Sequence, residues 1–185
     1  MEQLPTMVDS AGGDNNGTTR NITQSGGAYK FNGSSSQATA ADKSNLDPGT
    51  AGVRLTAKIS LTKTPAVGQT FDIVRKGVTT SSGGYYKIEI RRSAAGLAIA
   101  ACLFKDSSGR VGQVEGTTSL ANKGVVTVTC SKTSSGVTLS AAGQTRNAAA
   151  TVGSISNSSS VYVGGKGDGT DYFPGLMNSV KIEIG

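Results

Sequence analysis

A chain of 185 residues with 26 glycines, four prolines, no tryptophan and no histidine is long enough to bury one substantial core. Without histidine it can build neither a Ser-His nor a Cys-His nucleophile, and its two cysteines alone cannot make an ordinary zinc site. The net charge of +6 comes from singly scattered basic residues. Arg75-Lys76 and Arg91-Arg92 are the adjacent pairs, neither set among interleaved aromatics, which argues against a nucleic-acid partner.

No window repeats apolar residues at helical spacing for three turns, whereas Ser, Thr and Gly crowd the gaps between short apolar runs. An all-β chain of many short strands joined by tight turns, one domain over residues 1–185, is expected. No apolar run approaches a membrane span, and no charged start with an apolar core marks a secretory signal. With Met1 at the start and no tag in view, the expectation is a native chain made without an export signal.

In chain order, Val8 leads into a polar loop holding Asp9, Asp14, Asn15 and Asn16, and residues 18–23 read as a short strand. Tyr29-Lys30-Phe31-Asn32-Gly33 ends in a dipeptide suited to a hairpin turn, since both residues tolerate positive φ. In Ser44-Asn45-Leu46-Asp47-Pro48-Gly49, Pro48-Gly49 turns the chain into the next strand. Val53, Leu55, Ala57, Ile59 and Leu61 then alternate with polar neighbours as the clearest strand of the chain.

Phe71–Lys76 follows as a strand ending at Gly77. Tyr86, Ile88 and Ile90 form one face of the next; Lys87, Glu89 and Arg91 form the other, expected as a solvated charge ladder. Leu97–Lys105 is apolar on both faces and should lie deeper. Val126, Val128 and Cys130 pair with Val137, Leu139 and Ala141 across a turn at 133–136. Val161 and Val163 precede a loop rich in Gly and Asp, and Val180, Ile182 and Ile184 mark a long last strand. The pattern amounts to about twelve strands and no reliable helix.

Two stretches resemble a known family. Tyr29–Gly33 with Ser44–Gly49, and the ending Val161–Gly185 with its Gly-Gly, aromatic pair and returning strand, are similar to LamG-like domains of the concanavalin A-like lectin/glucanase superfamily. The resemblance runs from about Val8 to Gly185 and implies a jelly roll of two packed antiparallel sheets, with Leu46 tucked beneath the sandwich edge. Cys102-Leu103-Phe104-Lys105 and Val128-Thr129-Cys130 resemble an actinobacterial and phage subgroup carrying a Cys pair, although its Trp-His and Asp-Gly elements are replaced here by Val125-Val126 and Ala142-Gly143. That resemblance implies a Cys102–Cys130 disulfide and an oxidising location; two free buried thiols are the other reading.

Site candidates follow from the same likeness. Glycosidases of this fold cluster carboxylates on one strand, whereas Glu89 stands alone between Lys87 and Arg91, so no enzyme is expected. Calcium, which many such jelly rolls hold, would draw on Asp9, Asp14, Asn15 and Asn16, or on Asp168 and Asp171, with Asn178 in the last strand where the family often has Asp. The plain alternative is that these residues cap turns. Phe31, Phe71 and Phe104 read as core. Tyr85, Tyr162, Tyr172 and Phe173 are the candidate sugar platforms, with Lys166, Asp168 and Asp171 beside them.

The expected binding surface combines 81–85 and 166–173 at one end of the sandwich, with Gly165, Gly167 and Gly169 letting the second loop follow a partner's contour. Two functions fit. One is a virion head-decoration or tail protein attaching to a particle, host surface or glycan. The other is a secreted lectin-like accessory domain, so the expected location is a virion surface or the extracellular space.

Overall fold

In a computed structural model, the structure describes Leu4 and residues 6–185. Its strands are β1 (Thr6–Met7), β2 (Gly17–Arg20), β3 (Thr23–Ser25), β4 (Ala28–Lys30), β5 (Gln37–Ala40), β6 (Val53–Leu61), β7 (Thr70–Lys76) and β8 (Tyr85–Arg92). They continue as β9 (Ala98–Lys105), β10 (Val111–Glu115), β11 (Val126–Lys132), β12 (Gly136–Ala141), β13 (Gln144–Ala149), β14 (Val161–Val163) and β15 (Gly175–Ile184). One 3₁₀ turn, Ser44–Leu46, is the helical element among the described residues. The strands form an eight-stranded sheet, β1-β2-β5-β14-β7-β8-β9-β10, and a seven-stranded sheet, β13-β12-β11-β6-β15-β4-β3. The protein is an all-β sandwich of jelly-roll type.

The core follows from period-two alternation. Val53, Leu55, Ala57, Ile59 and Leu61 of β6 are buried, and their polar neighbours point outward. β15 runs antiparallel to β6 through the middle of its sheet and shifts register between Met177 and Ser179. Opposite them, Tyr86, Ile88 and Ile90 of β8 and Ala100, Cys102 and Phe104 of β9 complete the same cluster. β9 is buried on both faces: Ala101 and Leu103 form a second small cluster with Tyr85 outside the eight-stranded sheet. Cys102 and Cys130 are disulfide-bonded, joining β9 of one sheet to β11 of the other with Cα atoms 5.5 Å apart.

Three local expectations change. The stretch 18–23 divides into β2 and β3, which belong to different sheets; the chain crosses at Asn21 (φ +53) and buries Ile22. Asn32-Gly33 likewise joins strands of different sheets, so it turns a corner rather than a hairpin. There Asn32 Oδ1 accepts from the backbone N–H groups of Ser34, Ser35 and Ser36. β10 and β13 are additional strands. β13 is almost wholly polar and exposed, and is held by its pairing with β12.

Strand directions define two ends. β14 runs antiparallel to β7, with Val161 opposite Lys76 and Val163 opposite Val74. The 77–84 connection therefore lies at one end, the Lys76 end, and the 164–174 connection lies at the other, the Tyr172 end.

The Lys76 end is clasped by buried charge. Lys76 is fully buried, with Nζ 2.6 Å from Asp47 and 2.7 Å from Asp42, and it also donates to the Asn157 carbonyl. This single ammonium ties β7 to the Ser44–Leu46 turn and to the chain before β14. Tyr86 OH donates to the Leu46 carbonyl at 2.9 Å, fixing the same turn from β8. Asp106, also buried, accepts from Gly153 N at 2.7 Å and Arg110 Nε at 2.8 Å. Burial pushes its carboxyl up, but hydrogen bonds from Ser108, Gly153 and Arg110 outweigh that and hold it well below the usual range.

Candidate functional site

Three groups of residues could carry function, and the structure separates them. The first is the charged row on the outward face of β7 and β8. Asp72 pairs in register with Glu89, so Glu89 has a carboxylate neighbour that the linear sequence hides. Neither is solvated. Glu89 is fully buried between Lys87 and Arg91, and Arg91 also pairs with Glu115. Asp72 is equally buried; its Oδ2 lies 2.5 Å from Arg75 and its Oδ1 3.9 Å from Lys87, with no hydrogen-bond donor on Oδ1. A register shift between Asp72 and Val74 inserts Ile73 as an extra residue, and the Asp72 amide donates to the Asp171 carbonyl at 2.8 Å.

The expected solvated ladder is therefore a buried ion-pair network. Two-carboxylate sugar chemistry needs both carboxyls open to substrate, one free to give a proton and one to attack or activate water. Here the Glu89 oxygens are bound by Lys87 and Arg91, and Asp72 is out of contact with solvent. Burial raises the Asp72 carboxyl to about 6, against the opposing pull of Arg75 and Lys87.

A pH dependence follows with a definite sign. Because the folded pKa of Asp72 is raised from 3.8, its contribution to stability is full below about pH 4 and is lost as pH rises through about 6. Asp106, held low, works in the opposite sense and loses its contribution only as pH falls below about 4. In urea titrations at a series of pH values, Asp72→Asn should abolish the decline between pH 4 and 6 while keeping the acid-side loss. An unchanged profile would refute the assignment.

The second group is the loop at 9–16. Asp9 Oδ1 accepts from Ala11 N, and Asp9 Oδ2 accepts from both the backbone N and the side-chain Nδ2 of Asn15; these bonds hold the carboxyl below its ordinary range. Asn16 Oδ1 accepts from Asp9 N at 2.9 Å. Asp14, at φ +53, places its carboxylate 3.2 Å from Lys43 Nζ, which also donates to the Asp14 carbonyl. Asn15 Oδ1 is buried without a hydrogen-bond partner.

Gly17 is level with Ala40, and Ala40 with Val161, so this loop lies at the Lys76 end. Asn178 sits between Met177 and Ser179 in the other sheet, toward the Tyr172 end. Calcium needs six or more converging oxygens. This donor set, with its carboxylates engaged and an ammonium seated on Asp14, does not fit one.

The third group surrounds Tyr172. Arg20 Nη2 donates to Tyr172 OH at 2.5 Å, and the guanidinium carbon lies 5.8 Å from the ring centroid. Lys166 and Asp168 pair at 2.8 Å, and Asp168 Oδ1 accepts from the Thr170 amide and hydroxyl. The Lys166 hydrogen bond first, then that of the Thr170 hydroxyl, hold the Asp168 carboxyl below its ordinary range. Gln37 Nε2 donates to the Lys166 carbonyl, pinning the loop to β5.

Gly165 and Gly167 serve close packing here rather than pliancy. A Cβ on Gly167 would stand 2.5 Å from the Tyr162 ring, and one on Gly165 would stand 2.8 Å from the Tyr172 ring. The loop thus lies down on Tyr162 instead of waving above it.

Two expected aromatics drop out as platforms. Phe173 is fully buried, edge-on to Phe31 at 6.0 Å, with its ring packed against Gly175. Tyr85 is buried against Ala101 and Leu103, where burial also raises its phenol pKa. Since 81–85 lies at the Lys76 end, it cannot act with 166–173 on one surface.

Tyr172 instead borders a groove that sequence reasoning missed. About 610 Å³ in volume, it is lined by Lys63, Pro65, Phe71, Arg92, Asp171 and Tyr172 among others. A second depression of about 440 Å³ continues past Lys63 and Pro174 toward Lys30 and Leu176. The groove joins residues from three separate connections and the ends of β7 and β8, which no linear motif could announce.

No family model matches the chain, and no curated protein matches it by sequence. Solved structures do match in fold. The mouse laminin alpha1 chain, domains LG4-5, aligns over 87% of this chain and 43% of its own at TM-score 0.62 and 12% identity. The binding domain of botulinum neurotoxin serotype D aligns over 95% and 44% at TM-score 0.61 and 15% identity. The chain spans less than half the length of either structure.

Proposed function

We propose that the chain is a non-catalytic attachment module displayed on a virion, as a head-decoration or tail protein, and that the Tyr172 end is its partner-facing surface. The carrying observation is the polar groove of about 610 Å³ between Lys63, Arg92, Asp171 and Tyr172. It offers cations, a carboxylate and two half-exposed aromatics, Phe71 and Tyr172, side by side, a set suited to a sugar or to a polar protein surface. The buried, paired state of Asp72 and Glu89 supports binding over chemistry. Many weakly binding copies on a repetitive particle would add up to firm attachment. The disulfide favours a second setting, a secreted lectin-like domain in an oxidising environment, which would use the same groove.

Tyr172→Ala is the test. Losing its bond to Arg20 should cost only about 1 kcal/mol of stability, because the side chain is half exposed and lies at the rim. Attachment to glycan arrays, host cells or purified particles should fall at least about tenfold if this aromatic anchors the ligand. Retention of all three would remove the groove as the attachment site. Binding confined to free glycans would favour the secreted setting.

A further inference from the structure

At one corner of the Tyr172 end, three connections are tied together: 62–69 between β6 and β7, 93–97 between β8 and β9, and 116–125 between β10 and β11. Arg92 Nη1 donates to the Pro65 carbonyl at 3.4 Å, Asn122 N to the Leu61 carbonyl at 2.9 Å, and Leu120 N to the Ala98 carbonyl at 2.8 Å. Each connection holds an aliphatic side chain out in solvent: Val67 at 88%, Leu97 at 37% and Val125 at 61% exposure. These are three of the five large apolar side chains so exposed among the described residues, the others being Val8 and Val111.

Val67 stands at the tip of a turn closed by the Gln69 amide on the Ala66 carbonyl and by the Gln69 side chain on the Ala66 amide. A turn tip ordinarily carries Asn, Asp, Ser or Gly. The exposed cations Lys63, Arg92 and Lys123 stand in or beside these connections, and 62–69, 92–97 and 116–125 contain no aspartate or glutamate.

Aliphatic tips spaced among cations, with no anion in the same segments, do not make the contiguous apolar patch of a protein interface. They match the boundary layer of a bilayer, where short apolar side chains dip below the headgroups and cations meet anionic lipid. We propose that this corner docks the protein on an anionic lipid surface, with Val67 and Val125 entering the boundary and Lys63, Lys123 and Arg92 lying against the headgroups. The inference goes beyond the attachment reading. Lys63 and Arg92 also line the Tyr172 groove, whereas Val67, Lys123 and Val125 do not, so the double aspartate variant and Tyr172→Ala let either reading fail alone.

Cosedimentation with vesicles tests it, using phosphatidylcholine alone and an equal mixture of phosphatidylcholine and phosphatidylglycerol. The protein should pellet with the mixed vesicles at low salt, release as salt rises, and ignore the neutral ones. Val67→Asp with Val125→Asp should lower partitioning at least about tenfold at an unchanged melting temperature, since both side chains are already exposed. Lys63→Ala with Lys123→Ala should weaken binding and flatten its salt dependence, and Tyr172→Ala should bind vesicles normally. Failure to pellet with mixed vesicles, equal pelleting with neutral ones, or full binding by the double aspartate variant would each overturn the proposal. So would concentration-dependent self-association that the double aspartate variant abolishes in protein showing no vesicle binding.

Discussion

Converting Cys102 and Cys130 to alanine should lower unfolding stability by about 3–4 kcal/mol in the chain-entropy description of a disulfide. The bridge spans 28 residues of sequence and joins β9, next to the edge of one sheet, to β11 of the other. Its removal frees the unfolded chain between them while leaving the folded sheets otherwise paired. The denatured ensemble should expand as well, so the urea m-value should rise as the midpoint falls. Both sulfurs lie in the fully buried core, where two alanines would also leave a small void. A loss below about 1 kcal/mol would mean that the bridge constrains little that the sandwich does not already fix.

The second large effect is expected at Lys76. Lys76→Met preserves much of the side-chain volume but leaves Asp42 and Asp47 facing each other without their cation, and the Asn157 carbonyl without its donor. Breaking a fully buried ion pair from one side typically costs about 3–5 kcal/mol. Asp42 and Asp47 keep 35% and 17% side-chain exposure, so part of their hydration remains and the loss should fall at or below the lower end of that range. The pair of changes Asp42→Asn and Asp47→Asn, added to Lys76→Met, should recover part of that loss through non-additivity. A guanidinium titration in which Lys76→Met matched the wild-type midpoint would show that the clasp contributes nothing net.

Alternation made β6, β11, β12 and β15 readable, because each has a more buried and a more open face; β8 alternates as well, but its charged face is closed over by its own ion pairs. The two-sided apolar character of β9 likewise announced that something packs on its outer side, and Tyr85 of β8 does so against Ala101 and Leu103. β13 was invisible because its sequence, Gln-Thr-Arg-Asn-Ala-Ala, becomes a strand only through pairing with β12. Glu89 looked solitary because its carboxylate neighbour comes from another strand, across an irregular register. The two candidate binding loops were assigned to one end because composition carries no strand direction. Only the Val161–Lys76 pairing reveals that they face opposite ways. Phe173 and Tyr172 are adjacent in sequence and differ in fate for a local reason: one closes the core against Phe31, and the other lies outside against Arg20.

The asymmetry between the ends bears on how freely this protein can diverge. At the Lys76 end, Gly83 and Gly84 lie against the Ser156 and Lys105 carbonyls so tightly that any side chain would collide, and buried lysine and aspartate fix the neighbouring backbone. Drift there is checked at nearly every step. At the docking corner, Gly68 and Gly124 are required only by their positive φ, with nothing within 4 Å of a Cβ, and the positions beside them, Val67, Lys123 and Val125, carry their side chains in solvent. Specificity can therefore be rewritten at that corner, by substitution or insertion, without renegotiating the fold beneath it.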